Sequence, residues 1–186
     1  MFENFRLNML NREAASSKNK PLRIIKNLNL KNEDVIGDIG AGGGFFSFEF
    51  SKRVGSGTVY SVDTNQKALD FIDSKSKIDG IKNIKTVKAE NSKLYLPEKV
   101  DLIFLRNVFH HLPKPVDYFI DIRQFLKDDG KIAIIDYKKR GFSFTGLFGH
   151  YTPEETLIDM MNKAGFVLSK KFDFLPEQSF MIFMMK

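Results

Sequence analysis

Apolar and polar residues follow one another along the chain in two different periods. Short runs dominated by apolar side chains predict five buried strands, at residues 34–38, 58–62, 84–89, 100–105 and 131–136. Between them, apolar residues recur with helical spacing and predict helices at 45–54, 66–77 and 116–126. Strands that alternate with helices in this way are typical of a parallel sheet covered by helices on both faces.

The two ends of the chain depart from this alternation. Residues 1–30 look helical in pieces, with Pro21 placed to open a helix over 22–28. Near the other end, a helix is predicted at 153–164, with Thr152 as its N-cap and Gly165 as its stop. Two further apolar runs, 166–174 and 180–185, are separated by only five residues. A gap this short cannot hold a crossover helix, so these two strands should pair antiparallel.

Composition narrows the class of protein. A chain of 186 residues with 42% hydrophobic and 28% charged residues suits one globular domain. The absence of cysteine excludes disulfides, thiolate metal sites and a cysteine nucleophile. No apolar run approaches the ~20 residues that span a bilayer, and the N-terminus lacks a signal-peptide core. We therefore expect no membrane association and a cytoplasmic protein.

Charge and histidine content add little to this picture. The net charge of +6 comes from scattered basic residues, with short clusters at 138–140 and 170–171. Nucleic-acid binding favours a concentrated basic stripe with interleaved aromatics, so a solvated lysine-rich surface is the favoured interpretation. The three histidines and the acidic residues show no metal-ligand spacing, and no metal site is predicted.

The most informative segment, residues 35–46, reads VIGDIGAGGGFF. It predicts a buried strand, a tight turn with glycines at 40, 42 and 44, and the start of a helix. Glycine lets the backbone take positive φ and approach a ligand closely, and a helix start offers unpaired amide donors. Nineteen residues after Gly44, the next strand ends in Asp63, where a carboxylate can grip both hydroxyls of a ribose. The pair of signals predicts a site for a ligand that contains a nucleoside.

From about residue 20 to 186 the chain resembles the class I S-adenosylmethionine-dependent methyltransferases. It looks closest to the branch of ubiquinone/menaquinone biosynthesis enzymes and related small-molecule methyltransferases. Gly43 departs from the family pattern, since Thr or Ser is common at that position. The resemblance rests on the glycine turn at 38–44, the acid-terminated strand at 60–63, the segments 87–91, 100–112 and 126–132, and the Ala-Gly-Phe element at 164–166.

The resemblance implies an α/β, Rossmann-like fold: a seven-stranded, mostly parallel sheet with helices on both faces and a C-terminal antiparallel hairpin. Residues 1–186 would form a single methyltransferase domain, with 1–30 as a candidate lid and 137–152 as a substrate-side loop. The implied cofactor is S-adenosylmethionine. The implied cofactor-binding residues are Asp38, Gly40, Ala41 and Gly42 for the methionine part, Asp63 for the ribose, Thr64, Glu90 and Asn91 for the adenine, and Asn107 at the sulfonium.

The resemblance also implies transfer of a methyl group to a small-molecule acceptor by in-line displacement. No catalytic residue is identified; the weak candidates for a general base or a substrate contact are His111, His150 and Tyr151. Three alternatives stay open. They are a cofactor-binding fold without turnover, an RNA or protein methyltransferase, and an NAD-dependent dehydrogenase. The dehydrogenase fingerprint needs a third glycine where this chain has Phe45.

Overall fold

The computed structural model describes residues 2–90, 93–138 and 151–186. One seven-stranded sheet runs through these residues, in the order β3-β2-β1-β4-β5-β7-β6. The strands are β1 (Ile36–Ile39), β2 (Val59–Asp63), β3 (Ile84–Lys88), β4 (Val100–Arg106), β5 (Leu126–Tyr137), β6 (Phe166–Phe172) and β7 (Gln178–Met185). The helices are α1 (Phe2–Ala15), α2 (Pro21–Leu28), α3 (Phe45–Arg53), α4 (Gln66–Ile78), α5 (Pro115–Ile122) and α6 (Glu154–Lys163).

The pairing directions confirm the predicted fold class. Strands β1 to β5 pair parallel, whereas β7 pairs antiparallel with both β5 and β6. The chain moves outward from β1 through β2 to β3, then returns to β4 on the other side of β1. The carboxyl ends of β1 and β4 therefore flank the point where strand order reverses, which is where open α/β sheets bind ligands.

Apolar side chains cover both faces of the sheet. On one face, β-strand residues such as Ile103 pack with Phe119 of α5 and Leu157 of α6. On the other, Phe104 packs with Phe50 of α3 and with residues of α2. Because consecutive residues of β4 enter opposite clusters, this strand is buried from both sides, as its unbroken apolar run predicts. None of the helices described here is long and apolar enough to cross a bilayer.

Several predicted element boundaries differ from those in the structure. The helix expected to reach residue 126 ends at Ile122, because Leu126 already pairs with Val100 in the sheet. The capping role expected of Thr152 is also wrong. Pro153 is the N-cap of α6, it makes no side-chain cap, and Thr152 is buried. Both hairpin boundaries lie earlier in the chain than predicted. Strand β6 ends at Phe172 instead of residue 174, and β7 starts at Gln178 instead of residue 180.

Candidate active site

The turn after β1 requires glycine for a steric reason. Gly40, Gly42 and Gly44 have φ of +71°, +55° and +81°, a region that L side chains rarely adopt. A Cβ added at Gly40 would lie 2.4 Å from Cγ2 of Val108 in the loop after β4. The glycine therefore allows the ends of β1 and β4 to approach each other closely, and the cleft between them is narrow at this point.

Asp63, at the end of β2, faces this turn. Its Oδ2 accepts the backbone N–H of Gly42 at 2.8 Å, and its Oδ1 accepts the backbone N–H of Asn65 at 2.8 Å. An ionised carboxylate has about four lone-pair positions, so each oxygen can accept further hydrogen bonds. The two amides fix the orientation of the carboxylate beside the turn. This brings together the two sequence features on which the nucleoside-site hypothesis depends.

The expectation that the start of α3 offers unpaired amides to a ligand is wrong for Phe45. Its backbone N–H donates to Oδ1 of Asn11 on α1 at 3.1 Å, and Nδ2 of Asn11 donates to the carbonyl oxygen of Gly43 at 2.7 Å. A side chain from a distant helix thus takes the place of a local N-cap. The amide of Phe45 is therefore occupied by α1 and is not available to a ligand.

The same contact explains why position 43 departs from the family pattern. A Cβ at Gly43 would lie 2.3 Å from Oδ1 of Asn11 and 2.5 Å from the carbonyl oxygen of Leu7. Leu7 is completely buried, so α1 is packed firmly at this position. A threonine or serine at position 43 would displace the helix. Gly43 is therefore matched to the position of α1.

Asp38 is buried below the turn. Its Oδ2 accepts the hydroxyl of Ser47 at 2.6 Å, and Ser47 in turn accepts the hydroxyl of Ser61 at 2.7 Å. Burial raises the pKa of Asp38 to about 7, and the nearby charge of Asp63 adds to this shift, while the Ser47 hydrogen bonds oppose it. A carboxylate in this position is costly to ionise without a cationic partner.

A cavity of about 430 Å³ opens on the Asp63 side of the turn. It brings together the predicted residues Gly40, Asp63, Thr64 and Asn107. The predicted adenine contact Glu90 is exposed and does not line this cavity, whereas its neighbour Ala89 does; Asn91 lies outside the described residues. The complete described lining is Ile39, Gly40, Val62, Asp63, Thr64, Ala89, Lys93, Asn107, Val108, His111, Leu112 and Tyr118.

A second cavity, of about 220 Å³, lies on the other side of Gly40 and Val108 beneath α1. It contains the predicted residues Asp38, Ala41 and Gly42, and it shares Gly40, Asn107 and Val108 with the larger cavity. The two cavities therefore form one cleft that passes over the glycine turn. The remaining described lining is Leu10, Asn11, Glu13, Ala14, Gly43, Phe45, Phe46, Phe104 and Arg106.

Beyond β4, the smaller cavity is bordered by a polar network that the sequence did not identify. Asn107 has a positive φ of 57°. Its Nδ2 donates to the hydroxyl of Tyr137 at 3.4 Å, and its Oδ1 accepts the amide of Gln178. Gln178 also accepts Nη2 of Arg106 at 3.4 Å. The only sequence signal for Arg106 was its place at the end of an apolar strand.

The histidine candidates separate in the structure. His111 lines the larger cavity, as Asp63 does. Tyr151 is half-buried and lines neither cavity. His150 lies outside the described residues, as does most of the predicted loop 137–152. The neighbouring His110 pairs with Asp136. Its Nδ1 lies 2.6 Å from Oδ1 of Asp136, and its backbone N–H donates to Oδ2 of the same carboxylate. That pair is almost completely buried and joins the loop after β4 to β5.

Comparison with known proteins decides the family. A family described as "Methyltransferase domain" matches residues 30–169. The chain belongs to this family. The match covers the glycine turn, Asp63 and the loop after β4, so the resemblance found in the sequence is confirmed. The dehydrogenase alternative is set aside, and Phe45, in place of the third glycine, packs at the edge of the core.

Individual relatives agree with this assignment. A demethylmenaquinone methyltransferase from Lactobacillus johnsonii is 29% identical over 117 residues, which are 61% of this chain and 48% of that protein. A protein described as "Probable cobalt-precorrin-6B C(15)-methyltransferase (decarboxylating)" from Methanococcus maripaludis is 39% identical over 79 residues, 42% of this chain and 38% of that protein. The chain therefore matches less than half the length of each relative.

Among solved structures, a SAM-dependent methyltransferase from Aquifex aeolicus superposes with a TM-score of 0.82 at 27% identity, covering 89% of each chain. A methyltransferase from Streptomyces caelestis shares the fold, with a TM-score of 0.72 at 16% identity and 88% coverage of each chain. These likenesses confirm the predicted seven-stranded architecture with its terminal hairpin.

Proposed function

We propose that this chain is an S-adenosylmethionine-dependent methyltransferase that acts on a small-molecule acceptor. The observation that carries the proposal is the cleft over the glycine turn. Asp63 borders one end of it, Asp38 borders the other, and Gly40 lies between them. A ribose-binding acid at one end and a carboxylate suited to an ammonium group at the other match the two polar ends of this cofactor.

The proposed assignment gives the larger cavity to the adenosine and the smaller one to the methionine and the acceptor. Asp63 would accept the ribose hydroxyls with the lone pairs that its two backbone amides leave available. Thr64 and Ala89 would flank the adenine, with Glu90 and Asn91 proposed at its edge. Asn107 would border the sulfonium through its backbone.

The methionine end rests on electrostatics as well as shape. Gly40, Ala41 and Gly42 would form the floor under the methionine chain. Asp38 lies at the end of the floor, and burial raises its pKa. An ammonium group there would favour the ionised carboxylate, because opposite charges lower the pKa of an acid.

The bound cofactor supplies an electrophilic methyl group. The residues of this chain bind the two reactants, hold them in line and exclude water. Positioning of this kind can lower a barrier by roughly 7–11 kcal/mol. A tuned general base is therefore not required, and we assign no catalytic role to His111, His150 or Tyr151. The proton of the acceptor would pass to solvent or to a buffer base.

A small acceptor fits better than a macromolecule. The smaller cavity measures about 220 Å³ and is roofed by Leu10 and Asn11 of α1, which agrees with the lid role proposed for residues 1–30. The basic residues are scattered along the sequence, so no concentrated basic stripe favours an RNA acceptor over a small molecule.

We propose that residues 1–186 act as one domain in the cytoplasm, since the chain has no cysteine for extracellular disulfides.

Calorimetric titration tests the proposal directly. S-adenosylmethionine and S-adenosylhomocysteine should bind with dissociation constants of roughly micromolar size, which is the low end of the range of KM values that enzymes commonly show. NAD should not bind. Binding of NAD in place of these ligands would refute it. Incubation of the protein with labelled cofactor and a cell extract then separates an active enzyme from a fold without turnover. A labelled small molecule supports the proposal, and label found only in RNA or protein contradicts the acceptor class.

A further inference from the structure

Arg106 is a partly buried cation, and among the described residues no carboxylate forms an ion pair with it. It is the last residue of β4 and lines the smaller cavity. Its Nε is buried and has no hydrogen-bond partner in the part of the chain that the structure describes. The guanidinium makes one long hydrogen bond, from Nη2 to Oε1 of Gln178 at 3.4 Å, and it forms no ion pair with any described carboxylate.

Burial without a counter-ion is unfavourable for a guanidinium. It lowers the pKa of Arg106, but arginine remains charged at any ordinary pH. Buried charges in proteins are normally paired, since the desolvation cost is otherwise uncompensated. The acids nearby do not fill this role. Asp38 is held by Ser47, and Glu13 on α1 lines the same cavity and raises the pKa of Arg106 by its charge, but forms no ion pair with it. The unmatched charge therefore points to a ligand that brings an anion.

The position of Arg106 assigns that ligand to the acceptor side of the cleft. Its hydrogen-bond partner Gln178 begins β7, and Tyr137, whose hydroxyl accepts a hydrogen bond from the neighbouring Asn107, ends β5. Both strands lie beyond β4 in the sheet, whereas Asp63 lies at the end of β2 on the opposite side of β1. Arg106 thus lines the smaller cavity and not the cavity that holds Asp63.

Gln178 and Asn107 form a polar border beside the guanidinium. Nε2 of Gln178 donates to Oδ1 of Asn107. Oε1 of Gln178 accepts the hydrogen bond from Nη2 of Arg106. The ring of Phe46 lies 5.6 Å from the guanidinium carbon, and Phe104 lines the same cavity. A guanidinium beside aromatic rings is suited to a flat molecule that carries a carboxylate, because the planar fork binds both carboxylate oxygens at once.

We propose that Arg106 binds a carboxylate of the methyl acceptor, and that the acceptor is a small aromatic or apolar carboxylic acid. This inference rests on the proposed function, since it takes the larger cavity and the glycine floor of the smaller one to hold the cofactor, which leaves the Arg106 end of the smaller cavity for the acceptor. It concerns recognition only, and the carboxylate need not be the group that is methylated.

Matched acid and amide probes test the inference. Benzoate and benzamide have the same shape but differ in charge, and each is titrated into protein saturated with S-adenosylhomocysteine. The wild type should bind benzoate at least about tenfold more tightly than benzamide, as a charge-assisted bidentate contact would give. Arg106→Gln should remove the preference, and Arg106→Lys should keep part of it. Arg53→Gln, at an exposed position on α3, is the control and should behave as the wild type.

The outcomes separate this inference from the proposed function. If S-adenosylhomocysteine does not bind the wild type, the proposed function fails first. If it binds but benzoate has no advantage over benzamide, or if Arg106→Gln keeps the advantage, the inference alone is overturned. A loss of about tenfold or more in S-adenosylhomocysteine affinity in Arg106→Gln would assign the arginine to the carboxylate of the cofactor and also overturn it. Thermal unfolding of each variant confirms that the comparison uses folded protein.

Discussion

Ionisation of Asp38 should make the folded state less stable as the pH rises. The carboxyl has an ordinary pKa of 3.8 and a pKa of about 7 in the folded protein, where burial disfavours its charge. The folded state therefore binds this proton more tightly than the unfolded state does. The stability that the proton provides is complete below the unfolded pKa and is lost progressively as the pH rises towards 7. The shift of about three pKa units corresponds to about 4 kcal/mol.

Asp38→Asn removes the ionisation while keeping an oxygen that can accept the Ser47 hydroxyl. The free energy of unfolding of the variant, minus that of the wild type, should rise by about 1.4 kcal/mol per pH unit between about pH 5 and 7 and level off above. Urea denaturation at a series of pH values measures this difference. Asp70→Asn, which makes the same change at an exposed position on α4, is the matched control. A flat profile for Asp38→Asn would refute the assigned burial and its electrostatic consequence.

Two further variants test the site and its support. Gly40→Ala should lose more stability than Gly80→Ala, because both glycines have positive φ (about 1–2 kcal/mol of strain) but only Gly40 adds a clash with Val108. It should also lose cofactor binding in calorimetry, while Gly80→Ala retains it; equal behaviour of the two would contradict the close approach of β1 and β4. His110→Ala should cost about 1–3 kcal/mol in urea denaturation, because it leaves the buried Asp136 carboxylate without its ring partner. Lys75→Ala, which removes an exposed ion pair with Asp79, should cost less than about 1 kcal/mol. A cost for His110→Ala no larger than that control would argue against a structural role for the pair.

The sequence predicted the architecture because local signals and sheet topology agree in this chain. Buried parallel strands appear as apolar runs, and the short connection at 173–177 leaves the last two strands only an antiparallel pairing. The glycine turn and Asp63 were also accessible, since a positive φ and a strand-terminal acid both leave marks in the sequence. The outcome at Gly165 is similar, because its φ of +87° ends α6 as predicted.

Contacts between distant segments could not be predicted in the same way. Asn11 caps α3 from a helix more than thirty positions away, and nothing in its neighbourhood marks it as a cap. His110 and Asp136 are 26 positions apart, so the sequence could not show which of two adjacent histidines would meet the acid. Arg106 was visible as a polar residue at a strand end. That no carboxylate among the described residues pairs with it became apparent only when the packing around it was known.

The central claim is that Asp63 and the glycine turn form the cofactor site, and calorimetry on one pair of variants tests it most directly. Asp63→Ala should weaken S-adenosylmethionine binding at least about tenfold, since a carboxylate that accepts ribose hydroxyls contributes more than about 1.4 kcal/mol. Asp70→Ala, which removes an exposed carboxylate on the neighbouring helix, should bind as the wild type does. If Asp63→Ala retains wild-type affinity while remaining folded, the cofactor lies elsewhere and the account is wrong.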